Sequence, residues 1–193
     1  YGQTFIEEKI KSRDHTENML KANKKSISVK KGDANIIKIN GKNQLQKINI
    51  TVPGDPSSAA FFCALTILNT NCKLKIKNVQ LNRTRIGFYE ILKKSGAKIK
   101  FTNIKLKNGE RIGDILVKSS KLKPLRASKV FYPKTADEYP ILFVIASLIK
   151  GGSVFEGIGD LANKESNRIL EMKKILNKIG VKFLYSNDKV KIY

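Results

Sequence analysis

The chain has 193 residues and a formal net charge of +22, with 41% hydrophobic residues, 28% charged residues, two cysteines and one histidine. This length allows one ordinary domain or parts of two, and the apolar fraction is enough for a core, which excludes disorder throughout. Two cysteines cannot form a secreted disulfide framework, and with the lone histidine they do not match a zinc site, so we expect a reduced, cytosolic setting. The longest apolar run, 141–149, is far shorter than the roughly 20 residues of a membrane-spanning helix.

Hydrophobic periodicity predicts a chain in which strands and helices alternate. In chain order, the predicted elements are a strand over 4–11, a helix over 14–22, strands over 26–31, 35–40 and 45–52, a helix over 57–69, a strand over 72–79, a helix over 84–95, strands over 97–106 and 114–118, a helix over 137–150, a strand over 153–157, a helix over 165–179, and strands over 181–185 and 189–193. The second and fourth helices are apolar on nearly every side, which predicts that both are buried.

Residues at the element boundaries support these assignments. Asp14, followed three residues later by Glu17, predicts a capped helix start with a capping box, and Asp55 before Pro56 predicts a second capped start. Turns between strands are predicted at Gly32-Asp33, Asn108-Gly109 and Asn187-Asp188.

Part of this pattern occurs twice. Residues 90–97 and 174–181 both contain the end of a helix, a glycine and the start of a strand, and the two glycines, Gly96 and Gly180, lie 84 residues apart. A glycine directly after a helix is typical of a helix C-terminus. Residues 16–29 form a weaker third copy. The repeat predicts a modular α/β architecture built from copies of one unit.

The positive charge comes mostly from lysines that are spread along the whole chain. Such a charge attracts anions, so nucleic acids and phosphorylated or carboxylated metabolites are both candidate ligands. Nucleic-acid modules usually combine a basic stripe with aromatic or arginine contacts, whereas the lysine pairs here stand in unrelated contexts. A solvated, lysine-rich surface is the simpler interpretation, and charge alone does not identify a function.

Four short segments place polar groups at element boundaries, where functional sites are usually built. In residues 12–17, the Ser12 hydroxyl, the Arg13 guanidinium and the free N–H groups of a helix start could bind an anion, although helix capping alone also explains them. In residues 52–60, Gly54 and a second helix start could do the same. A capped, buried helix at a domain crossing is the simpler interpretation there.

The other two segments carry candidate acids and bases. Asp137 and Glu138 begin a predicted buried helix, on which adjacent side chains point about 100° apart, so that one could line a cleft while the other caps. On the last helix, Lys164 and Arg168 would share one face and could hold a carboxylate and phosphate beside Glu165, which would act as an acid or base. Capped or solvated helix starts are the alternatives. The sequence contains no P-loop, paired-cysteine zinc motif, nucleophile elbow or dinucleotide fingerprint.

Taken in order, these segments resemble the enolpyruvyl transferase family, and within it the branch that acts on shikimate 3-phosphate. The resemblance covers essentially the whole chain, and five motifs in the family order are a specific signal. The residues that carry it are Ser12-Arg13-Asp14-His15-Thr16-Glu17, Val52-Pro53-Gly54-Asp55 with Ser57-Ser58-Ala59-Ala60-Phe61-Phe62, Asn82 with Thr84-Arg85 and Gly87-Phe88, Asp137-Glu138-Tyr139-Pro140, and Lys164-Glu165-Ser166 with Arg168.

The resemblance implies an inside-out α/β fold of repeated β-α-β-α-β-β units, with helices inside and sheets outside, in two domains. Residues 1–51 would be the C-terminal piece of one domain, and residues 52–193 would form two repeat units of the other. The implied reaction moves the enolpyruvyl group of phosphoenolpyruvate onto the 5-hydroxyl of shikimate 3-phosphate by addition and elimination, with release of phosphate, in a cleft between the domains.

The resemblance also implies roles for individual residues. Ser12 and Arg13 would hold the shikimate phosphate, and Asp137 would bind the ring and act as the base toward its 5-hydroxyl. Lys164 would lie beside both substrates, and Glu165 would pass the proton at the methylene carbon. No metal or organic cofactor, specific nucleic acid or membrane is implied, and the full enzyme would be a monomer.

The last implied role belongs to Arg168, which would bind phosphoenolpyruvate. Some neighbours depart from the family pattern: Ala162 and Asn163 stand where the family usually has Arg and Val, Asn167 stands where it has Asp, and Arg83 stands where it has Pro.

The family's N-terminal lysine loop, Ser-Ala-Gln segment and C-terminal Asp-His-Arg segment have no counterpart. We therefore expect the 193 residues to be the middle of an enzyme, and to be inactive alone because several phosphate-binding cations are missing.

Two alternatives stay open from the sequence. A UDP-N-acetylglucosamine enolpyruvyl transferase would share the fold and the chemistry, although residues 12–17 and 164–166 favour the shikimate branch. A basic nucleic-acid-binding α/β module would instead lose affinity steeply as salt rises.

Overall fold

The computed structural model describes residues 2–20 and 23–193. Their elements are β1 (Gln3–Glu8), α1 (His15–Met19), β2 (Ile27–Lys30), β3 (Asn35–Asn40), α2 (Pro56–Leu68), β4 (Lys73–Gln80), α3 (Gly87–Lys94), β5 (Lys98–Lys107), β6 (Glu110–Lys118), β7 (Arg126–Ala127), α4 (Tyr132–Thr135), α5 (Tyr139–Ser147), β8 (Ser153–Glu156), α6 (Arg168–Lys178), β9 (Phe183–Ser186) and β10 (Lys189–Ile192). Short 3₁₀ turns lie at Lys129–Phe131 and Gly159–Asn163. The end of the helix predicted over 14–22 lies outside the described residues.

The described strands form three sheets, and two of these are built alike. Their orders are β1-β3-β2, β4-β6-β5 and β7-β8-β10-β9. In the last sheet, β7 pairs parallel with β8 across α5, and the antiparallel strands β9 and β10 complete it. The second sheet repeats this arrangement, with β4, β6 and β5 in the places of β8, β10 and β9. A single parallel bridge between Gly54 and Val79, formed across α2, stands in the place of β7.

The described chain therefore contains two β-α-β-α-β-β units, which we call unit A (residues 54–118) and unit B (residues 126–192). Pro56 and Pro140, at the starts of α2 and α5, lie 84 residues apart, the same spacing as between Gly96 and Gly180. The predicted repeat is confirmed. The buried core lies among the helices and the inner sheet faces, while alternate residues of β4 and β5 are exposed.

Helix α2 departs from the prediction of burial on all sides. Ala60 and Cys63 are fully buried against the rest of the core, but Phe61, Phe62 and Leu65 are about 60% exposed (61%, 60% and 63%). Unit A's sheet and α5 cover one face of the helix within the described residues. A helix that is apolar on every side has no hydrophobic periodicity, so its sequence does not show which face is buried and which is exposed.

The prediction of a strand over 45–52 is wrong. These described residues contain no strand, and Leu45, Ile50 and Val52 are exposed. The Gln46 amide is bound by the Asn23 side chain at 2.7 Å instead of by a ladder. Alternating polarity alone does not make a strand, because the backbone also needs a neighbouring strand to pair with.

Three helices begin two or three residues later than predicted, which places polar residues in the turns before them. The observed starts are Gly87, Tyr139 and Arg168, against predicted starts at 84, 137 and 165. Before α3, the Asn82 side-chain oxygen accepts hydrogen bonds from both the amide and the hydroxyl of Thr84 at 2.9 Å. Before α6, Asn167 caps the helix by accepting from the Leu170 amide at 3.0 Å. Side chains of this kind compete with helical hydrogen bonding and favour turns.

The predicted caps and hairpin turns have mixed outcomes. Asp55 accepts from the Ser58 amide at 2.7 Å, so the cap of α2 is confirmed. Asp14 stands at the start of α1, but its carboxylate makes no cap bond within the described residues. It accepts instead from Asn82 at 2.7 Å and from Asn18 at 3.1 Å. Positive φ angles confirm the hairpin turns at Asn108-Gly109 (52° and 79°) and Asn187-Asp188 (48° and 58°).

Asp114, on the central strand β6 of unit A, pins irregularities in both neighbouring strands. The pairing register shifts near Asn78 in β4 and near Asn103 in β5, and both asparagines have positive φ. Asp114 accepts from the Asn103 side chain at 2.7 Å and from the Asn78 amide at 3.1 Å, and Lys75 lies 3.1 Å away. These bonds, with that of Asn103 the strongest, lower the pKa of Asp114 to about 2.

This carboxylate should make stability depend on pH. The pKa of Asp114 in the folded state, about 2, lies below its ordinary 3.8, so its contribution is complete above the ordinary value and is lost as the pH falls through the folded value. We expect the free energy of unfolding to fall between about pH 4 and pH 2 by a component that Asp114→Asn lacks. Urea unfolding at a series of pH values measures it. Asp33→Asn, at an exposed turn, is the control that should keep the component, and an unchanged pH slope in Asp114→Asn would contradict the assignment.

Candidate active site

Three turns that are far apart in sequence meet at Asp137. Asp137 lies in the turn between α4 and α5, and Arg13 lies in the loop between β1 and α1. The Arg13 guanidinium donates to Asp137 Oδ2. On the other side, Nη1 of Arg168, the first residue of α6, lies 3.4 Å from Asp137 Oδ1. Two cations from different parts of the chain therefore hold one carboxylate.

The same cluster includes Glu165 but not the ammonium of Lys164. Arg168 Nη2 donates to Glu165 Oε2 at 2.9 Å. Lys164 Nζ lies 2.8 Å from Asp160 Oδ2, which also accepts from the Tyr132 hydroxyl at 2.5 Å. Lys164 has an extended backbone before α6 begins, so the prediction that it shares a helical face with Arg168 is wrong.

The hydrogen bonds of Ser12 go to a residue outside the cluster. Its amide and hydroxyl are bound by Glu8 Oε1 at 2.8 and 2.6 Å, and its side chain is exposed. The backbone places it next to Arg13. The described residues thus join Arg13, Asp137, Glu165 and Arg168 directly, while Ser12 binds Glu8 and Lys164 binds Asp160.

Each cation of the cluster is matched by a carboxylate. Partial burial raises the pKa of Asp137, but the hydrogen bond and charge of Arg13, followed by Arg168, outweigh it and hold the pKa below its usual range. The pKa of Glu165 is lowered by its own backbone amide and by Arg168. Both carboxylates are therefore ionised at neutral pH, and an anionic ligand must compete with them for the guanidinium groups.

A second layer of bonds lies behind Asp137 and includes residues that the sequence reasoning missed. Arg85 Nη2 donates to Ser57 Oγ at 2.7 Å and to Asp55 Oδ1 at 3.1 Å. Ser57 in turn donates to Glu138 Oε1, and Thr135 donates to Glu138 Oε2 at 3.0 Å. The motifs that contain these residues were visible in the sequence, but no local pattern shows that Arg85 reaches α2.

The loop that carries Arg13 is attached to unit A by polar contacts. His15 Nδ1 lies 2.9 Å from Glu110 Oε1, and Asn82 Nδ2 lies 3.1 Å from Glu110 Oε2. The same Asn82 amide group donates to Asp14 at 2.7 Å. These contacts fix the residues directly after Arg13, and so help to aim its side chain at Asp137.

Residues 2–20 and 23–193 contain no group of three or more His, Cys, Asp or Glu side chains that could hold a metal ion. The same part of the chain has no helix that is long and apolar enough to span a membrane.

Solved structures identify the class of fold. The enolpyruvyl transferase NikO from Streptomyces tendae matches 100% of this chain and 42% of its own with a TM-score of 0.63, and at 12% identity this shows the fold alone. EPSP synthase from Acinetobacter baumannii matches 99% of this chain and 42% of its own with a TM-score of 0.86 and 36% identity. The fold is the inside-out α/β architecture of the enolpyruvyl transferases, as the family resemblance implied.

Sequence relatives narrow the class to a family. A family model described as EPSP synthase (3-phosphoshikimate 1-carboxyvinyltransferase) matches residues 1–193. A 3-phosphoshikimate 1-carboxyvinyltransferase from Thermodesulfovibrio yellowstonii is 42% identical over 192 residues, which are 99% of this chain and 44% of that protein. The chain belongs to the EPSP synthase family. It spans less than half the length of the relatives that it matches.

Proposed function

We propose that the protein carrying this chain transfers the enolpyruvyl group of phosphoenolpyruvate to the 5-hydroxyl of shikimate 3-phosphate. The observation that supports this most directly is the cluster of Arg13, Asp137, Glu165 and Arg168, which combines two guanidinium groups that could bind phosphate with two carboxylates that could transfer protons. The relatives at about 40% identity carry the name of this activity rather than that of the UDP-N-acetylglucosamine enzyme. Catalysis would rest on positioning and electrostatics together with proton transfer.

Shikimate 3-phosphate would bind on the Arg13 side of the cluster. Its phosphate would take hydrogen bonds from Ser12 and Arg13, and Asp137 would accept the proton of the 5-hydroxyl as that oxygen attacks C2 of phosphoenolpyruvate. Arg13 now holds the pKa of Asp137 down. A phosphate that shares the Arg13 guanidinium would weaken this effect, so Asp137 would become a stronger base only when the substrate is bound.

Phosphoenolpyruvate would bind on the Arg168 side. Arg168 and Lys164 would hold its anionic groups, and Glu165 would give a proton to C3 while the C2–O bond forms. The resulting tetrahedral intermediate then loses a proton from the same methyl carbon to Glu165, the C–O bond to phosphate breaks, and inorganic phosphate leaves. The competition for Arg168 would raise the pKa of Glu165 in the same way as at Asp137.

The domain assignment from the sequence belongs to the same proposal. Residues 1–51 would form the C-terminal piece of one domain and residues 52–193 two repeat units of the other. The Arg13–Asp137 contact, together with the contacts of His15 and Asp14, would then cross the cleft between domains. We also propose that the protein acts in the cytosol as a monomer.

A pair of substitutions in the full gene product tests the two halves of the site. With Arg168→Ala, we expect KM for phosphoenolpyruvate to rise at least about 10-fold and KM for shikimate 3-phosphate to change less, because one charge-assisted contact is lost on one side only. Arg13→Ala should give the reverse pattern. Steady-state phosphate release, with each substrate varied in turn, measures both constants.

Lys178→Ala is the matched control, since Lys178 is an exposed cation near the other end of α6. Its two KM values should stay at those of the unsubstituted protein. Equal effects of Arg13→Ala and Arg168→Ala on both substrates would contradict the assignment of sides. Absence of phosphate release from the unsubstituted protein would contradict the function itself.

A further inference from the structure

Glu138 is a buried carboxylate that the proposed chemistry does not use. It is only 3% exposed, although it directly follows the partly exposed Asp137. Both of its carboxylate oxygens accept hydroxyl hydrogen bonds, one from Ser57 and one from Thr135. The two donors come from different repeat units. Ser57 lies in the first turn of α2 in unit A, and Thr135 ends α4 in unit B.

These bonds anchor the turn that carries Asp137. That turn contains only residues 136–138, between α4 and α5. The Glu138 amide donates to the Thr135 carbonyl at 3.1 Å, and the Leu142 amide donates to the Glu138 carbonyl at 3.0 Å. Backbone and side chain of Glu138 are therefore both fixed. A rigid neighbour on the buried side leaves Asp137 little freedom to move away from Arg13 and Arg168.

Holding a turn with a buried carboxylate carries a large desolvation penalty. Burial raises the pKa of Glu138, despite the bonds from Ser57 and Thr135. Apolar side chains of similar volume generally give equal or better stability than buried charged groups. Arg85 offsets part of the cost, because its guanidinium binds the same Ser57 hydroxyl at 2.7 Å. The arrangement fixes the position of the turn, since it links the start of α2 to the residue next to Asp137.

We propose that Glu138 is a positioning residue, which through Ser57 and Thr135 holds Asp137 at the place where unit A meets unit B. This inference rests on the proposed function, since it assigns Asp137 as the base. Glu138 itself would touch neither substrate. Loss of its contacts would therefore alter the alignment of the base and leave the substrate-binding cations in place.

The test compares Glu138→Ala with Glu138→Gln in the full gene product. Because small misplacements of a reacting group are costly, we expect Glu138→Ala to lower kcat by about 10- to 100-fold. Both KM values should stay within about 3-fold, since no binding group is removed. Glutamine keeps the shape, one acceptor oxygen and a donor that the Ser57 hydroxyl can accept, so Glu138→Gln should recover most of kcat. Glu90→Ala is the matched control, a half-buried carboxylate on α3 that lies 4.0 Å from Lys134, and it should leave kcat unchanged.

The outcomes separate this inference from the proposed function. If the unsubstituted and Glu90→Ala proteins release phosphate and Glu138→Ala does so with an unchanged kcat, the positioning role is wrong and the function stands. A rise in KM with unchanged kcat would also overturn it. Should Glu138→Ala fail to fold in circular dichroism, Ser57→Ala and Thr135→Val decide, since each removes one of the two hydroxyl bonds to Glu138. Unchanged kcat in both would overturn the role, and a partial loss in each would support it. If the unsubstituted protein releases no phosphate, the proposed function fails and this inference fails with it.

Discussion

Replacing Asp137 with asparagine in the full gene product is expected to lower kcat by about 10²- to 10⁴-fold, the usual contribution of a positioned general base. Asparagine keeps the size of the side chain and one oxygen that can accept from Arg13 or Arg168, but it cannot take the proton of the attacking hydroxyl. The loss should therefore appear in kcat more than in KM. Phosphate release under saturating concentrations of both substrates measures it.

The control for this prediction is Glu171→Gln. Glu171 is an exposed carboxylate in the first turn of α6, close in sequence to Arg168, and its side chain binds Lys174 at 2.8 Å. We expect it to leave kcat unchanged. A kcat for Asp137→Asn within about 10-fold of the unsubstituted protein would remove Asp137 from the role of base. The Arg13–Asp137 contact would then be only a salt bridge between two parts of the chain.

Much of the fold was predictable because it depends on local backbone requirements. Gly96 and Gly180 follow helices with φ of +103° and +84°, a region that glycine enters without steric penalty. Together with the recurring helix and strand pattern, they indicate the repeat from the sequence alone. The hairpin turn at Asn108-Gly109 was predictable for the same reason, since both residues adopt positive φ.

The errors of prediction arose where long-range partners decide the outcome. Residues 45–52 alternate in polarity, but no described strand pairs with them, so they form no ladder. The exposed side of α2, marked by Phe61 and Leu65, was equally invisible, because its sequence is apolar in every direction. Neither outcome is encoded in a window of a few residues.

For the candidate site too, local sequence patterns predicted some features and long-range contacts decided the others. Asp137 and Arg168 were candidates because they lie at element boundaries within recognisable motifs, and the structure brings their side chains together. Lys164 and Arg168 do not share a helical face, since α6 begins only at Arg168. Glu138 was expected to line a cleft or cap a helix, whereas it is buried and bonded to a hydroxyl 81 residues away in sequence.

The two repeat units contribute differently to the candidate site. Each unit has a polar turn before its second helix, at residues 82–86 in unit A and 164–167 in unit B. In unit A the turn directs Arg85 inward to Ser57, where it supports the second layer. In unit B, Arg168 follows the turn as the first residue of α6 and binds Asp137 and Glu165. The two arginines are not equivalent positions of the repeat, since Arg85 stands two residues before α3, but each lies near the start of the second helix of its unit.

The largest effect on stability is expected at Phe143, in the centre of α5. This side chain is fully buried, and its ring centroid lies 5.1 Å from that of Phe155, 5.4 Å from that of Phe183 and 6.0 Å from that of Tyr139. Phe143→Ala would leave a cavity between α5 and the sheet of unit B. We expect a loss of about 3–5 kcal/mol in the free energy of unfolding, enough to unfold a marginally stable chain. Urea unfolding followed by circular dichroism measures it.

Phe61→Ala is the matched control, because it removes the same group from the exposed face of α2, where the side chain is 61% exposed. With little apolar contact to lose and no cavity to form, it should change the free energy of unfolding by less than about 0.5 kcal/mol. The contrast between the two variants tests which helix forms the centre of the core. Equal losses at both positions would mean that the exposed face of α2 is covered in solution, and a small loss at Phe143 would mean that the aromatic cluster is not packed as described.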